Sequence, residues 1–419
     1  MENKMKAKYY LRVFWLIIIF SFVSWLISVV LNPQGRQLDC FYTRMGEFLG
    51  DATYTTGFVS ELDPYRNEVN GLWNHNYPPL AYVFFYILAY ASNDTSETFT
   101  YPLSGYLSYY YQPLWTMLFV LALLILIILI YTVCISNLSQ KYAYPDKAMT
   151  GIALCLSYPM LWLIERGNIL IIAILTVSVF MFYYDSCCKW KKEIALISLA
   201  IATGIKLSPA IFSLMLVLKK DWRAFLRLIL YIILLLIGPF FFFKDGLQNL
   251  PLMINNIKLW FLYRVAGAGV TGTGLVASYF KFARLVFGND YFINEWIYSI
   301  LMVVSGEVSL LLMLGLLQLK EKWKIILNIT LVLLILPAVS YRYNVLYFLP
   351  FTITFFNVIL KEPIKLDKMI IFGCLIMLYF VYRCPISELF NYQFAIPILT
   401  VIALMYSIKA VIKAKHIFL

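Results

Sequence analysis

Histidine is almost missing from this chain, with only His75 and His416 among 419 residues. A histidine-ligated metal centre or a Ser–His–Asp relay has little to draw on. Charge is scarce too. Asp, Glu, Lys and Arg make up 13% of the residues, about half the share of a soluble domain. The seven cysteines form no CxxC pair, and the adjacent Cys187 and Cys188 cannot close a relaxed disulfide. A disulfide framework and a zinc site are both excluded. No Walker loop, no strand-linked GxGxxG and no HExxH occurs, so soluble nucleotide chemistry finds no support.

Apolar side chains are abundant. Hydrophobic residues reach 62% of the chain, and the mean hydropathy is +0.79. A soluble protein of this size cannot hide that much apolar surface, so the solvent is lipid over most of the chain. Twelve apolar runs are long enough to be candidate spans: 12–32, 78–92, 113–136, 148–164, 168–184, 193–218, 225–243, 294–318, 325–338, 345–360, 369–384 and 393–411. They are continuously apolar rather than alternating, which predicts helices and not barrel strands. The expected fold is an all-α polytopic transmembrane bundle of about twelve helices. It forms a single membrane domain over 1–419, with a large outer loop after the first helix. The first run has no small-residue cleavage site and reads as a retained signal anchor.

The net charge is +12, but the basic residues sit in short clusters between apolar runs and not on a folded basic face. That pattern excludes nucleic acid as a partner and marks cytoplasmic loops. The clusters are Lys4–Lys6–Lys8–Arg12, Lys219–Lys220–Arg223–Arg227, Lys320–Lys322–Lys324, Lys361–Lys365–Lys368 and Lys413–Lys415. Counting each run as one crossing puts all of them, and both termini, on the cytoplasmic side of the cell membrane. One loop violates this count, because Lys189, Lys191 and Lys192 then fall outside. A rival topology makes 193–218 a re-entrant hairpin with Lys206 and Pro209 at its apex; it puts the Lys189 loop inside, but 78–136 must then hold an extra half-crossing. The single-crossing count is the preferred expectation.

Two outer segments, 33–77 and 244–293, are too long to be connectors. The first carries Asp39, Glu47, Asp51, Glu61, Asp63 and Glu68; the second carries a glycine-rich run from Gly267 to Gly274. Aromatic residues run through both, so each is expected to lie on the membrane surface as short amphipathic helices. Asp39, seven residues after the first span and among aromatics, can act as a general base on a bound hydroxyl; a solvated loop acid or a helix cap is the plainer alternative. Lys206 lies inside an apolar run, where an unpaired cation costs on the order of 3 kcal/mol. It must meet an anion or a water-filled cavity, or snorkel to the headgroups. Glu165 and Arg166 sit at a tight break before Gly167–Asn168 and can neutralise each other. Arg342, in Ser340–Tyr341–Arg342–Tyr343–Asn344, can clamp a phosphate or anchor at the interface.

Taken together these segments resemble the membrane-embedded GT-C glycosyltransferases, specifically family 87. The matching stretches are Asp39–Cys40–Phe41–Tyr42, Asp63–Pro64–Tyr65, Tyr77–Pro78–Pro79–Leu80, Arg166–Gly167–Asn168, Lys206–Leu207–Ser208–Pro209 and Lys219–Lys220–Asp221–Trp222–Arg223. Ser340 to Asn344 stands where the family often has a Ser-x-x-x-His-Tyr motif, here without its histidine. The resemblance implies inverting transfer of a sugar, a mannose-type hexose above all, from a polyprenyl-phosphate donor. The acceptor would be lipid-linked or a surface glycan at the outer face. It implies Asp39 as the base, Lys206, Arg342 and Arg264 against the donor phosphate, and Tyr42, Asp63, Tyr65, Tyr77 and Tyr343 around the sugar. Glu165, Arg166 and Asn168 belong to the motif without an assigned role, and no cofactor or metal is implied. A flippase of lipid-linked saccharides and a surface-polysaccharide polymerase or ligase are the competing classes. A flippase should show pseudo-repeats between its halves, and none is seen.

Overall fold

A computed structural model of the chain describes residues 2–31, 49–59, 62–66, 76–91, 113–267, 272–288, 295–337, 340–381 and 392–418. These residues form seventeen α-helices: α1 Glu2–Leu31, α2 Gly50–Phe58, α3 Pro79–Ala91, α4 Pro113–Asn137, α5 Tyr144–Cys155, α6 Tyr158–Arg166, α7 Leu170–Tyr183, α8 Lys189–Ile205, α9 Leu214–Leu218, α10 Trp222–Ile237, α11 Asn249–Gly267, α12 Leu275–Phe287, α13 Glu295–Leu316, α14 Lys322–Ile335, α15 Leu349–Ile359, α16 Leu366–Tyr379 and α17 Tyr392–Phe418. Among the described residues, the only extended pairing outside them is a bridge between Gly272 and Tyr341. The all-α polytopic expectation holds.

Among the described residues, five helical stretches are long and apolar enough to cross a bilayer: Met5–Leu31, Leu114–Asn137, Trp222–Phe242, Trp296–Leu316 and Tyr392–Ala414. Their surfaces show what solvent they are built for. On α4, Trp115, Phe119 and Leu123 are buried, while Met117, Leu121, Leu124 and Ile128 are exposed. On α10, Leu226, Leu230 and Ile233 are likewise exposed. Large aliphatic side chains on a helix's outer face fit lipid and not water. The sixth candidate, 148–164 in the sequence, is two helices, α5 and α6, bent by 48°. Pro159 explains the break. It has no N–H to give to Cys155, and its ring would collide with that carbonyl.

The chain divides into two compact units, one of Met1–Cys40, Cys134–Trp162 and Arg264–Leu419, the other of Phe41–Val133 and Leu163–Tyr263. In the first, Arg12, about three turns into α1, ties that helix to the start of α5, its Nε donating to Asp146 Oδ1 at 2.9 Å. The same end holds Tyr142 Oη on the Phe356 carbonyl at 2.7 Å, Lys368 on Glu362 at 2.7 Å and Tyr406 on Asp367 at 2.6 Å. The opposite end is knitted by Thr273 N to the Ser340 carbonyl at 2.6 Å and by Gln393 Nε2 to the Gly272 carbonyl at 3.2 Å.

The second unit corrects the preferred topology. α8 starts at Lys189 and ends at Lys206, where the backbone turns extended. A 3-10 stretch, Ser208–Ser213, and then α9 carry the chain back. The return is proved by side chains. Lys192 pairs with Asp221, and Arg227 pairs with Glu193. Tyr231 also donates to Glu193, and Lys219 lies 3.4 Å from Asp185. The start of α8 and the start of α10 therefore share one end, and 193–218 is a hairpin with Lys206 and Pro209 at its apex. The lysines at 189, 191 and 192 join the Lys219–Arg227 cluster, and both groups fall on the cytoplasmic side once one run over 78–136 is less than a full crossing; α3, at 13 residues, is too short for one.

Asp221 fastens this hairpin. Its Oδ1 accepts from Ala224 N at the N-terminus of α10, at 3.2 Å. The hydrogen bond from Lys192, with the N-cap bond behind it, holds the Asp221 carboxyl below the usual carboxylate range. Asp221→Ala should lose a cap worth about 1 kcal/mol. A depressed carboxylate stabilises the fold fully above its unfolded pKa, and the gain is lost as pH falls through its folded pKa. The stability gap between wild type and Asp221→Ala should therefore be full near neutral pH and close in acid. Thermal unfolding in nanodiscs across that range measures it.

Helices occur in both long segments between the apolar runs. Segment 33–77 contains α2, and segment 244–293 contains α11 and α12. Ala268 to Thr271 of the glycine-rich run lie outside the described residues.

Candidate functional site

At the end of the second unit away from the Lys189–Lys192 and Lys219–Arg227 cluster, five side chains converge. Asp51 stands in the first turn of α2, and Arg166 in the last turn of α6. Each charge suits its helix end, acid at the N-terminus and base at the C-terminus. Arg166 donates through Nε at 3.1 Å and Nη2 at 2.5 Å to Asp51 Oδ1. Asn168 Nδ2 donates to Asp51 Oδ2 at 2.7 Å and reaches Tyr77 Oη at 3.3 Å. Asn168 is itself held, since its Oδ1 accepts from Leu170 N at the start of α7, at 2.9 Å. Lys206 comes from the hairpin apex, near enough to Asp51 for the two charges to interact. The pair is largely but not wholly covered, with 14% of the Arg166 side chain and 21% of the Asp51 side chain exposed.

The backbone that builds this cluster is unusual. Leu49, just before α2, has a left-handed φ of 54° and donates its N–H to the Glu165 carbonyl at 2.7 Å. Gly167 has φ +61°, and a Cβ there would sit 2.9 Å from Ala52 Cβ and 3.0 Å from a Phe119 ring carbon. Only glycine allows α2 to seat on this turn. Gly167→Ala should cost at least about 1–2 kcal/mol from the left-handed backbone alone, and more from displaced α2. The expected result is a lower melting temperature together with loss of activity, read by thermal unfolding and turnover on one preparation.

Beside the cluster, Tyr65 is buried. Its Oη donates to the Tyr77 carbonyl at 3.1 Å, and its ring packs edge-on to Tyr82. Tyr65 thus braces Tyr77. Asp63 faces Arg66 at 3.4 Å, and Arg66 reaches Asp245 at 2.6 Å. That ties Asp63 to the turn after α10. The Glu165 backbone carbonyl receives Leu49 N, and the Arg166 guanidinium goes to Asp51.

The first unit holds the other candidates. Arg342 Nη1 donates to Tyr158 Oη at 2.7 Å, and the guanidinium lies 4.6 Å from the Trp162 ring centroid and 5.9 Å from that of Tyr392. Tyr343 is buried and stacks on Tyr341 at 5.5 Å. Cation–π contacts such as these anchor Arg342 within its own aromatic box. Asp39 and Tyr42 lie outside the described residues, as does the side chain of Arg264 on α11. Among the described residues, no three His, Cys, Asp or Glu side chains are grouped to hold a metal.

The family model for glycosyltransferase family 87 matches residues 75–337, well over half of the chain. The chain belongs to glycosyltransferase family 87. No curated protein and no solved structure matches this family 87 glycosyltransferase. The matched span takes in Tyr77, Arg166, Asn168 and Lys206, while Asp39, Asp51 and Arg342 fall outside it.

Asp51 is the residue that reading the sequence counted among six loop acids without singling it out. The available signal was its position one residue into a threonine-rich helical stretch, Gly50–Asp51–Ala52–Thr53, twelve residues before Asp63–Pro64–Tyr65.

Proposed function

We propose that this glycosyltransferase moves a monosaccharide, a mannose-type hexose, from a polyprenyl-phosphate sugar to a hydroxyl of a lipid-linked or surface glycan. Transfer occurs with inversion at the outer face of the cell membrane. The observation that carries the reading is the cluster of Asp51, Arg166, Asn168, Tyr77 and Lys206. It lies at the end of the second unit opposite the lysine-rich loops. The positive-inside rule makes the lysine-rich end cytoplasmic, which leaves the cluster facing outward.

The chemistry asks for few groups. A lipid phosphate is a good leaving group, so a strong general acid is unnecessary and one base suffices. This differs from the paired carboxylates of most glycoside hydrolases. The base takes the acceptor's proton as the acceptor oxygen bonds to the anomeric carbon. The anomeric C–O bond breaks, and its electron pair stays on the phosphate oxygen. Charge grows on that phosphate, and a cation fixed beside it stabilises the transition state. Lys206, at the apex of a hairpin with a proline behind it, is suited to that task. Two acids compete for the role of base: Asp39 on the resemblance, and Asp51 on the geometry. What supports Asp51 is its place in the cluster: the Asn168 amide that holds its carboxylate also touches the Tyr77 hydroxyl, Arg166 pairs with it, and its charge interacts with that of Lys206.

Purified protein in nanodiscs, given a panel of synthetic polyprenyl-phosphate sugars and a lipid extract as acceptor source, tests the reading. Release of polyprenyl phosphate from one donor supports it and names the sugar. Folded protein that releases none from any donor would turn the reading toward the flippase, to be followed by a translocation assay.

A further inference from the structure

The Asp51 carboxylate is closed to an incoming hydroxyl as it stands. Three N–H groups, two from Arg166 on Oδ1 and one from Asn168 on Oδ2, take up most of the roughly four lone-pair sites of a carboxylate. Asn168 is pinned by Leu170 N and keeps its place whatever Arg166 does. Arg166 gives both of its bonds to Asp51 to a single oxygen, and not as the parallel two-oxygen fork of a matched arginine–carboxylate pair. Its guanidinium lies over Gly50, where an added Cβ would touch it at 3.4–3.5 Å. The glycine gives the side chain a bare backbone to move across.

A second anion in this pocket competes for the same guanidinium. The donor's phosphate is a diester with one negative charge, and the product is a monoester with nearly two. Its pull on Arg166 therefore increases as the C–O bond breaks. We propose that Arg166 is an exchangeable counter-ion. It pairs with Asp51 while the site lacks a phosphate and passes to the donor's phosphate during transfer, freeing Asp51 to accept the acceptor's proton. Asn168 holds the freed carboxylate in register, and Lys206 stays on the phosphate throughout. The proposal rests on the transfer reading with Asp51 as base. It makes Arg166 a positioning residue that ties deprotonation of the acceptor to arrival of the donor.

Farnesyl phosphate is a suitable probe of the exchange. Its dissociation constant is measured in nanodiscs for wild type, Asp51→Asn, Arg166→Gln and the double variant, each checked by thermal unfolding. Exchange predicts that Asp51→Asn tightens binding about tenfold, by removing the competitor, and that Arg166→Gln weakens it about tenfold. In the Arg166→Gln background, Asp51→Asn should change binding by less than about twofold. That non-additivity separates exchange from a simple change of field at Lys206, which would persist in the double variant. A persistent effect, or an Asp51→Asn protein that binds no tighter than wild type, overturns the proposal. Asp51→Ser replaces Asp51→Asn if the latter does not fold, since serine also suits the start of a helix. Failure of the transfer reading shows separately, as absence of polyprenyl phosphate release by the wild type.

Discussion

Asp51→Asn is expected to lower turnover by roughly two to four orders of magnitude, the span typical of a lost general base, in protein that still folds. Asparagine keeps the shape of the side chain and can still accept one N–H from Asn168 or Arg166, so α2 should stay seated. It cannot take a proton. Donor saturation should survive while kcat falls, the pattern of a group needed only in the transition state. The parallel variant is Asp39→Asn. If geometry identifies the base, Asp39→Asn retains most of its turnover. If Asp39→Asn is dead and Asp51→Asn active, the base is Asp39, and Asp51 is only the brace that seats α2 on the Arg166–Asn168 turn. Both variants are compared by release of polyprenyl phosphate under single-turnover conditions.

Lys206→Met should be nearly as damaging, with about a 10²–10³-fold loss in kcat/KM for the donor. Methionine fills similar space, so the hairpin apex should keep its packing. Gly204, two residues earlier, sits so close to Leu80 that a Cβ would lie 2.8 Å away. α3 is therefore pressed against the end of α8, and the apex has little room to rearrange. The lost feature is the cation that meets the growing phosphate charge. Arg at this position should restore only part of the rate, because its planar fork is longer and directs its donors differently from a compact ammonium. A Lys206→Met enzyme with unchanged kcat/KM would leave the lysine a purely structural or snorkelling role.

The sequence made the class of fold legible because lipid is an unforgiving solvent: long apolar runs have no other stable home. It singled out Lys206 as a cation inside an apolar run, and Tyr77 and Asn168 through the resemblance to family 87. It did not distinguish a crossing from a hairpin over 193–218. Hydropathy reads both alike, and the difference lies in pairings such as Lys192 with Asp221 and Lys219 with Asp185. Nor did it separate Asp51 from five other loop acids. What selects Asp51 is a partner 115 residues away, Arg166, and a glycine turn whose missing Cβ lets α2 approach. The same limit applies to Arg342, whose neighbours Tyr158, Trp162 and Tyr392 are distant in the sequence.

The most direct test of the account is a cryo-EM structure with a non-transferable donor analogue bound. The account predicts the phosphate within salt-bridge distance of Lys206 Nζ, the Arg166 guanidinium turned toward it, and the sugar ring beside Tyr77 and the Asp51 carboxylate. A phosphate bound instead at the opposite end, among Lys219, Lys220 and Arg223, would contradict it.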